Sequence, residues 1–257
     1  MTILYPSPIF GPVHSRRLGV SLGVNLQPAD GKVCSFDCIY CECGLNGDHR
    51  PHQKRPTREA VAKALEAKLQ EMTSEHVLPD VITFAGNGEP TGHPDFLNII
   101  RDTIALRNRY CPEAKVSVLS NATFCGRPDV HDALMLVDNN ILKLDTISED
   151  YIRRIDRPTA AYSVADVIKW MKAFNGHCII QTMFMNGEGD MADVCNLDED
   201  YIKPWLNAVK DIMPQQVMIY TIDRETPVSG LLKATHEELD AIRDRVIAEG
   251  IPCSASY

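Results

Sequence analysis

Short runs of apolar and β-branched residues alternate along this chain with longer stretches in which apolar side chains recur at i, i+3 and i+4. Runs of the first kind fall at 18–25, 81–85, 116–120, 141–144, 179–184 and 217–220. Each has the length of a strand, and segments of helical period lie between them. The pattern therefore reads as repeated βα units with a parallel sheet.

The helical segments carry their own start signals. Thr57 is placed to cap a helix whose stripe is Val61, Ala64, Leu65, Leu69 and Met72. A second helix opens near Asp95 with Phe96, Ile100 and Ile104, and a short one covers 129–136. Ser163 with Asp166 resembles a capping box ahead of Val164, Val167, Ile168 and Met171, and Thr235 with Glu238 is another ahead of Leu239, Ile242 and Val246. Residues 198–209 are expected to be helical, with Pro204 kinking the helix or starting a second segment. Six parallel strands with helices between them predict an α/β fold, a partial (βα)6 TIM-like barrel. In such barrels functional residues collect on the loops at the C-terminal strand ends.

Composition narrows the class without naming a function. The 257 residues suit one large α/β domain over 1–257, with a cysteine-rich loop at 31–44 and a short C-terminal segment at 221–257. At 44% hydrophobic and 24% charged residues the chain is ordinary for a globular protein, and no apolar run reaches membrane-spanning length. The 26 Lys and Arg stand against 35 Asp and Glu, a net charge of -9 with no long basic run, which disfavours a nucleic-acid partner. The opening MTILYPSPIF has no basic n-region, apolar core or cleavage site. Reduced thiols and a cytoplasmic location are the expectation.

The candidate chemistry is concentrated in GKVCSFDCIYCECG, where Cys34, Cys38 and Cys41 stand at C-x3-C-x2-C spacing and Cys43 follows. Structural zinc usually takes two cysteine pairs a dozen or more residues apart, and no second pair follows here. The odd total of nine cysteines argues against a disulfide framework. A short loop can instead wrap three thiolates around one [4Fe-4S] cubane, which needs four soft ligands and so keeps one iron open. A fourth thiolate from Cys43 would close that iron, so Cys43 is read as a neighbour of the cluster. Cys111, Cys125, Cys178, Cys195 and Cys253 are scattered, and buried weakly polar thiols are the default for them.

The run CSFDCIYC resembles the signature of the radical S-adenosylmethionine (SAM) superfamily, and its flanks resemble a small single-domain branch related to the wyosine-synthase-like group. Wyosine-synthesising chains carry further cluster cysteines upstream of the signature; here no Cys precedes Cys34. The resemblance implies that Cys34, Cys38 and Cys41 hold the cluster, that its open iron binds SAM, and that Tyr40 lies beside the cofactor. The second strand end, AGNGEPTG, is similar to a G-G-E-P motif that meets the SAM amino group, with Gly88, Glu89 and Pro90 at the matching positions and Gly86, just ahead of the motif, as a further cofactor-binding candidate. Asn87 stands where the first Gly of that motif would be, and Asn tolerates positive φ better than most residues.

Further strand ends extend the resemblance. Ser120 and Asn121 match positions that bind the ribose or carboxylate of SAM, and equally read as a polar turn. Asp145 matches a ribose-binding position, Lys143 or Arg154 is placed to meet a carboxylate, and Asp156 replaces the Asn of a similar R-x-I-N-R-P element. Gln181 is a candidate for SAM or substrate, while Tyr220, Asp223 and Arg224 fall on the substrate side. His14, Ser15, Arg16 and Arg17 either bind an anionic group or tie down the amino-terminal segment.

The implied activity is reductive cleavage of SAM to a 5'-deoxyadenosyl radical that abstracts hydrogen from a small-molecule or nucleoside substrate. A flavodoxin or ferredoxin type electron donor would be the partner. Two alternatives stay open: an activating enzyme installing a glycyl radical on a protein substrate, and a non-enzymatic iron-sulfur or zinc protein serving as redox sensor or scaffold.

Overall fold

The computed structural model describes residues 2–15, 19–48 and 50–257, so Arg16, Arg17 and Leu18 lie outside the described residues. Ten strands alternate with seven helices among them. The strands are β1 (Ile9–Ser15), β2 (Gly19–Val24), β3 (Val81–Phe84), β4 (Lys115–Ser120), β5 (Asn139–Lys143), β6 (Ile179–Met183), β7 (Met185–Gly187), β8 (Gln216–Tyr220), β9 (Leu231–Lys233) and β10 (Cys253–Ser256). The main sheet has eight strands in the order β1-β2-β3-β4-β5-β6-β8-β10, and β7 pairs with β9 in a small antiparallel sheet. Every neighbour pair from β2 to β10 in the main sheet is parallel. The six expected strands form the contiguous run β2 to β8 of a TIM-like partial barrel.

Two strands of the main sheet carry weaker signals than these six. β1 reads IFGPVHS and pairs antiparallel with β2 at the sheet edge. A proline inside a run argues against a strand in general, but an edge strand tolerates its missing N–H. β10 is the run CSAS, with little apolar content, and is fixed by its register against β8.

The helices are α1 (Arg58–Ser74), α2 (Phe96–Tyr110), α3 (Pro128–Leu136), α4 (Glu149–Ile155), α5 (Val164–Ala173), α6 (Glu199–Ile212) and α7 (His236–Ala248). Thr57 and Ser163 accept backbone N–H bonds as N-caps, and Thr235 with Glu238 forms the full reciprocal capping box. Ser148 caps the short α4, which follows the β5 strand end. Pro204 neither ends nor divides α6. The buried stripe Ile202, Trp205, Leu206, Val209 and Ile212 holds that helix through the proline, and the Trp205 indole N–H donates to the Leu144 carbonyl at 3.0 Å.

Period-two alternation divides the parallel strands into two faces. Leu22, Val24, Ile82, Phe84, Val116, Val118, Leu142, Ile180, Val217 and Ile219 pack into the main hydrophobic core with the helix stripes. The alternate positions, including Ser21, Thr83, Leu119, Ile141, Gln181 and Met218, line the barrel interior. No helix among the described residues is long and apolar enough to cross a membrane.

Candidate cofactor and substrate site

The cysteine loop is fastened to three neighbouring strand ends. Val33 donates its N–H to the Asn87 carbonyl at 2.9 Å and accepts from the Glu89 N–H at 3.2 Å, so the chain entering the loop pairs with the turn after β3. Asp37 N–H donates to the Asp156 carbonyl and Ile39 N–H to the Ile155 carbonyl, each at 2.9 Å, which docks the middle of the loop on the end of α4. The Asn46 amide donates to the carbonyls of Cys34 and Phe36. From the turn after β4, the Asn121 amide donates to Ser35 Oγ at 2.9 Å and reaches Cys34 Sγ at 3.6 Å.

This scaffold holds Cys34, Cys38 and Cys41 close enough that Cys38 feels the charge of the other two and Cys34 that of Cys41. Burial pushes the Cys34 thiol up to about 12 and the Cys38 thiol well above its ordinary range. Cys41 is drawn down to about 6 by the hydrogen bond from Cys43, with help from Lys32, against the effect of burial. Sulfurs so placed are soft ligands whose protons a thiophilic centre must displace. A tetrahedral zinc would need its sulfurs about 2.3 Å from a single point. Among the described residues no three His, Cys, Asp or Glu side chains surround such a point. Three soft sulfur donors on one loop have the chemistry of a thiophilic metal site. Cys43 is buried beside Cys41, to which it is hydrogen-bonded, and its sulfur also lies 3.3 Å from the Gly86 carbonyl.

Gly86 and Gly88 hold φ of +125° and +128°, so the two left-handed positions of the turn are glycines. Asn87 is not among the positive-φ residues and is fully buried. Its role in the turn differs from the one its residue type suggests: the side chain pairs with the backbone N–H and carbonyl of Tyr5 and donates to Pro28, pinning the amino-terminal segment. Glu89 is 4% exposed, and its carboxylate accepts from Thr91 N, Thr91 Oγ1, Ser120 Oγ and Asn121 N. Burial raises its pKa against the pull of those four bonds. Its backbone carbonyl accepts from the Gln27 amide at 2.6 Å. Glu89 therefore ties the β3 and β4 ends together, with Ser120 and Asn121 as its partners and Pro90 opening a 3-10 turn.

A buried ionic network occupies the β5 end. Lys143 forms ion pairs with Asp145 and, at 3.3 Å, with Asp156, and its ammonium lies 4.6 Å from the centre of the Tyr40 ring. The Tyr40 hydroxyl donates to Asp145 and reaches Asp156 at 3.0 Å, while Met183 N–H donates to Asp145 at 2.9 Å. Cys38 Sγ donates to Asp156 at 3.4 Å. Burial lifts Asp156 to about 6, and the same burial is outweighed at Lys143 by the two carboxylates, which raise it. Asp145 thus has both oxygens engaged inside the protein, and Asp156, the departure from the resembled element, joins the cluster loop to Lys143. Arg154 lies apart on the surface, paired with Asp193.

Two cavities flank the loop. One of about 440 Å³ fills the barrel mouth, bounded by Tyr40, Cys41, Gly86, Gln181, Met183 and Tyr220, with Asp223 and Arg224 on its rim and His14 lining it toward the start of β2. Across the rim, Arg224 donates to Glu42 at 2.6 Å and to the Tyr5 hydroxyl at 2.8 Å, and Tyr5 donates to Glu42 at 2.8 Å. This latch joins the amino-terminal segment, the cysteine loop and the loop after β8; Tyr5 stands in no motif, and Glu42 sits between Cys41 and Cys43 where the cysteine spacing gives it no role. The second cavity, about 420 Å³, reaches Cys34 from the other side between Arg55, Phe124 and Tyr162. Ser120, Asn121, Gln181, Asp145 and the glycine turn thus all gather round the cysteine loop at one end of the barrel.

Fold and site together define a parallel partial barrel with a sulfur-lined pocket at its C-terminal mouth. The chain belongs to the radical SAM superfamily, whose family model matches residues 30–197. It is 30% identical over 225 residues to the UPF0026 protein of Helicobacter pylori, covering 85% of this chain and 67% of that one. It is 31% identical over 181 residues to a UPF0026 protein of Methanocaldococcus jannaschii, covering 68% and 53%. Streptococcus suis SuiB bound to S-adenosylmethionine superposes with a TM-score of 0.65 at 15% identity, over 91% of this chain and 50% of that chain. A radical SAM methyltransferase from Sphaerobacter thermophilus gives 0.66 at 13%, over 92% and 66%. These two structures share the fold. The chain thus spans between half and two thirds of the length of these relatives.

Proposed function

We propose that this protein is a radical SAM enzyme that holds a [4Fe-4S] cluster through Cys34, Cys38 and Cys41 and acts on a small-molecule or nucleoside substrate in the barrel mouth. The observation that carries the reading is Cys41, on one short loop with Cys34 and Cys38, lining a cavity of about 440 Å³ in the barrel mouth. That volume lies in the range of small-ligand sites. When bound, such a cluster with SAM supplies one electron to cleave the sulfonium, and the resulting 5'-deoxyadenosyl radical removes a hydrogen atom from substrate.

The chain's own residues supply confinement and orientation. Cys41, Tyr40 and Gly86 form one wall of the cavity and Gln181 and Met183 another. The Tyr5–Glu42–Arg224 latch narrows access from solvent, which a reactive carbon radical requires. Lys143 fixes Tyr40 from below through Asp145 and the ring face, so the aromatic wall is held rigid. SAM is read as lying along Gly86, Gly88, Ser120, Asn121 and Gln181. A flavodoxin or ferredoxin type protein is read as the electron donor, and the reduced cytoplasm as the location.

The test is anaerobic reconstitution with iron and sulfide, followed by dithionite reduction with SAM. About four irons and four sulfides per chain and the appearance of 5'-deoxyadenosine are expected. A reconstituted protein that takes up zinc alone, or that holds the cluster and never cleaves SAM, overturns the proposal.

A further inference from the structure

Arg55 differs from the other arginines of the described chain in what holds it. The other half-buried ones, Arg58, Arg107, Arg127, Arg243 and Arg245, each pair with an Asp or Glu. Arg55 is half-buried with no carboxylate partner among the described residues, and two neutral acceptors hold it instead: Nε donates to Gln27 Oε1 at 2.8 Å and Nη1 to the Gly92 carbonyl at 3.1 Å. Gln27 is itself fixed, 1% exposed with its amide on the Glu89 carbonyl at 2.6 Å. A guanidinium has five N–H donors, so most of this firmly placed fork is unspent. A cation withdrawn from water needs opposite charge close by.

Arg55 lines the cavity of about 420 Å³ beside Cys34, and no residue lines both this cavity and the one in the barrel mouth. Other donors on its wall share the condition of Arg55. The Tyr162 hydroxyl and the N–H groups of Ala160 and Ala161 take no hydrogen-bond partner among the described residues. Phe124 and Pro158 add apolar surface, and the volume is that of a small-ligand site. Glu89 brings the one carboxylate to the lining, and its oxygens are taken up by Thr91, Ser120 and Asn121. Unspent donors beside a cation and apolar walls call for an acceptor that brings its own negative charge.

We propose that this cavity is a second ligand site, taking a small organic anion whose carboxylate or phosphate group accepts from the Arg55 fork and whose apolar body lies against Phe124 and Tyr162. The inference does not depend on what the three sulfurs hold. The occupant touches the cysteine loop all the same, because Val33, Cys34 and Ser35 form part of the wall. Thr159, also on the lining, donates through its N–H and its hydroxyl to the Ser35 carbonyl at 2.9 and 3.1 Å.

The experiment is isothermal titration calorimetry of the full chain, purified anaerobically, with benzoate, phenyl phosphate and the neutral benzyl alcohol, comparing wild type, Arg55→Gln and the exposed control Arg101→Gln. One of the two anions is expected to bind wild type with a Kd of about 1 mM or tighter. Which of them binds tighter tells a carboxylate site from a phosphate site. Arg55→Gln should weaken that anion by about tenfold or more, as loss of a charged hydrogen bond does, and Arg101→Gln by less than about twofold. Crystals of the wild-type complex should show the oxyanion on the Arg55 guanidinium, a result that stands whether or not the variants fold. No binding of either anion below about 10 mM, benzyl alcohol as tight as the anions, equal affinity in Arg55→Gln, or an oxyanion seated away from Arg55 overturns the inference.

Discussion

A Cβ placed on Gly88 would lie 2.0 Å from the carbonyl oxygen of Val33. The turn after β3 and the first residues of the cysteine loop therefore touch backbone to backbone, with φ at Gly88 in the left-handed range. Gly88→Ala is expected to lower the unfolding free energy by more than about 2 kcal/mol, since strain of this kind alone costs of order 1–3 kcal/mol. Gly47→Ala, on the exposed part of the same loop with open space around it, should change it by no more than about 0.5 kcal/mol. Urea denaturation of the two metal-free variants checks the contrast.

Lys143 sits between two carboxylates whose side chains are each 2% exposed. Removing it in Lys143→Met leaves both buried and uncompensated, with an expected loss of about 3–5 kcal/mol. Asp156→Asn leaves the Lys143–Asp145 pair intact and removes a charge that burial already disfavours. Its cost should stay below about 1.5 kcal/mol. Equal losses in the two variants, measured by urea denaturation, would contradict the network as described.

His93 is 3% exposed, accepts the Asp95 N–H on Nδ1 at 3.1 Å and faces the Pro56 carbonyl through Nε2 at 2.9 Å. With Nδ1 an acceptor, Nε2 carries the proton and the ring is neutral. Burial lowers its pKa, and the neighbouring Arg55 charge adds to this. Above the ordinary value of 6.5 both folded and unfolded states are neutral and stability is full. As pH falls below 6.5 the unfolded chain takes a proton that the folded chain refuses, so stability drops, with a slope of at most about 1.4 kcal/mol per pH unit. His93→Gln keeps a donor and an acceptor and removes the titration. The stability difference between wild type and variant should shift toward the variant between pH 7.5 and 5.

On the proposed reading Cys38→Ala removes one of three sulfur ligands and should abolish both iron uptake and SAM cleavage. Cys43→Ala should keep both and cost about 0.5–1.5 kcal/mol for the lost bond to the Gly86 carbonyl. Loss of iron from reconstituted Cys43→Ala would show that a fourth sulfur belongs to the site.

The rim latch is half exposed, with Arg224 and Glu42 side chains 50% and 41% accessible. Arg224→Ala is therefore expected to cost less than about 1 kcal/mol globally. Cleavage by a nonspecific protease within residues 2–8 should nevertheless speed up, because Tyr5 loses one of its anchors.

The apolar runs and helical stripes by themselves determined the βα order, the six barrel strands and the helix caps at Thr57, Ser163 and Thr235, because side-chain direction repeats with the backbone period wherever one face is buried. The spacing of Cys34, Cys38 and Cys41 likewise determined that three sulfurs share one loop. The tertiary structure alone decided that Glu89 and Asp145 spend their oxygens on neighbouring strand ends, that Asn87 holds Tyr5, and that Asp156 meets Cys38 from 118 residues away. Lys32 reads in sequence as one more loop lysine. The fold buries it and sets its ammonium on the Gly44 carbonyl at the far end of the cysteine loop.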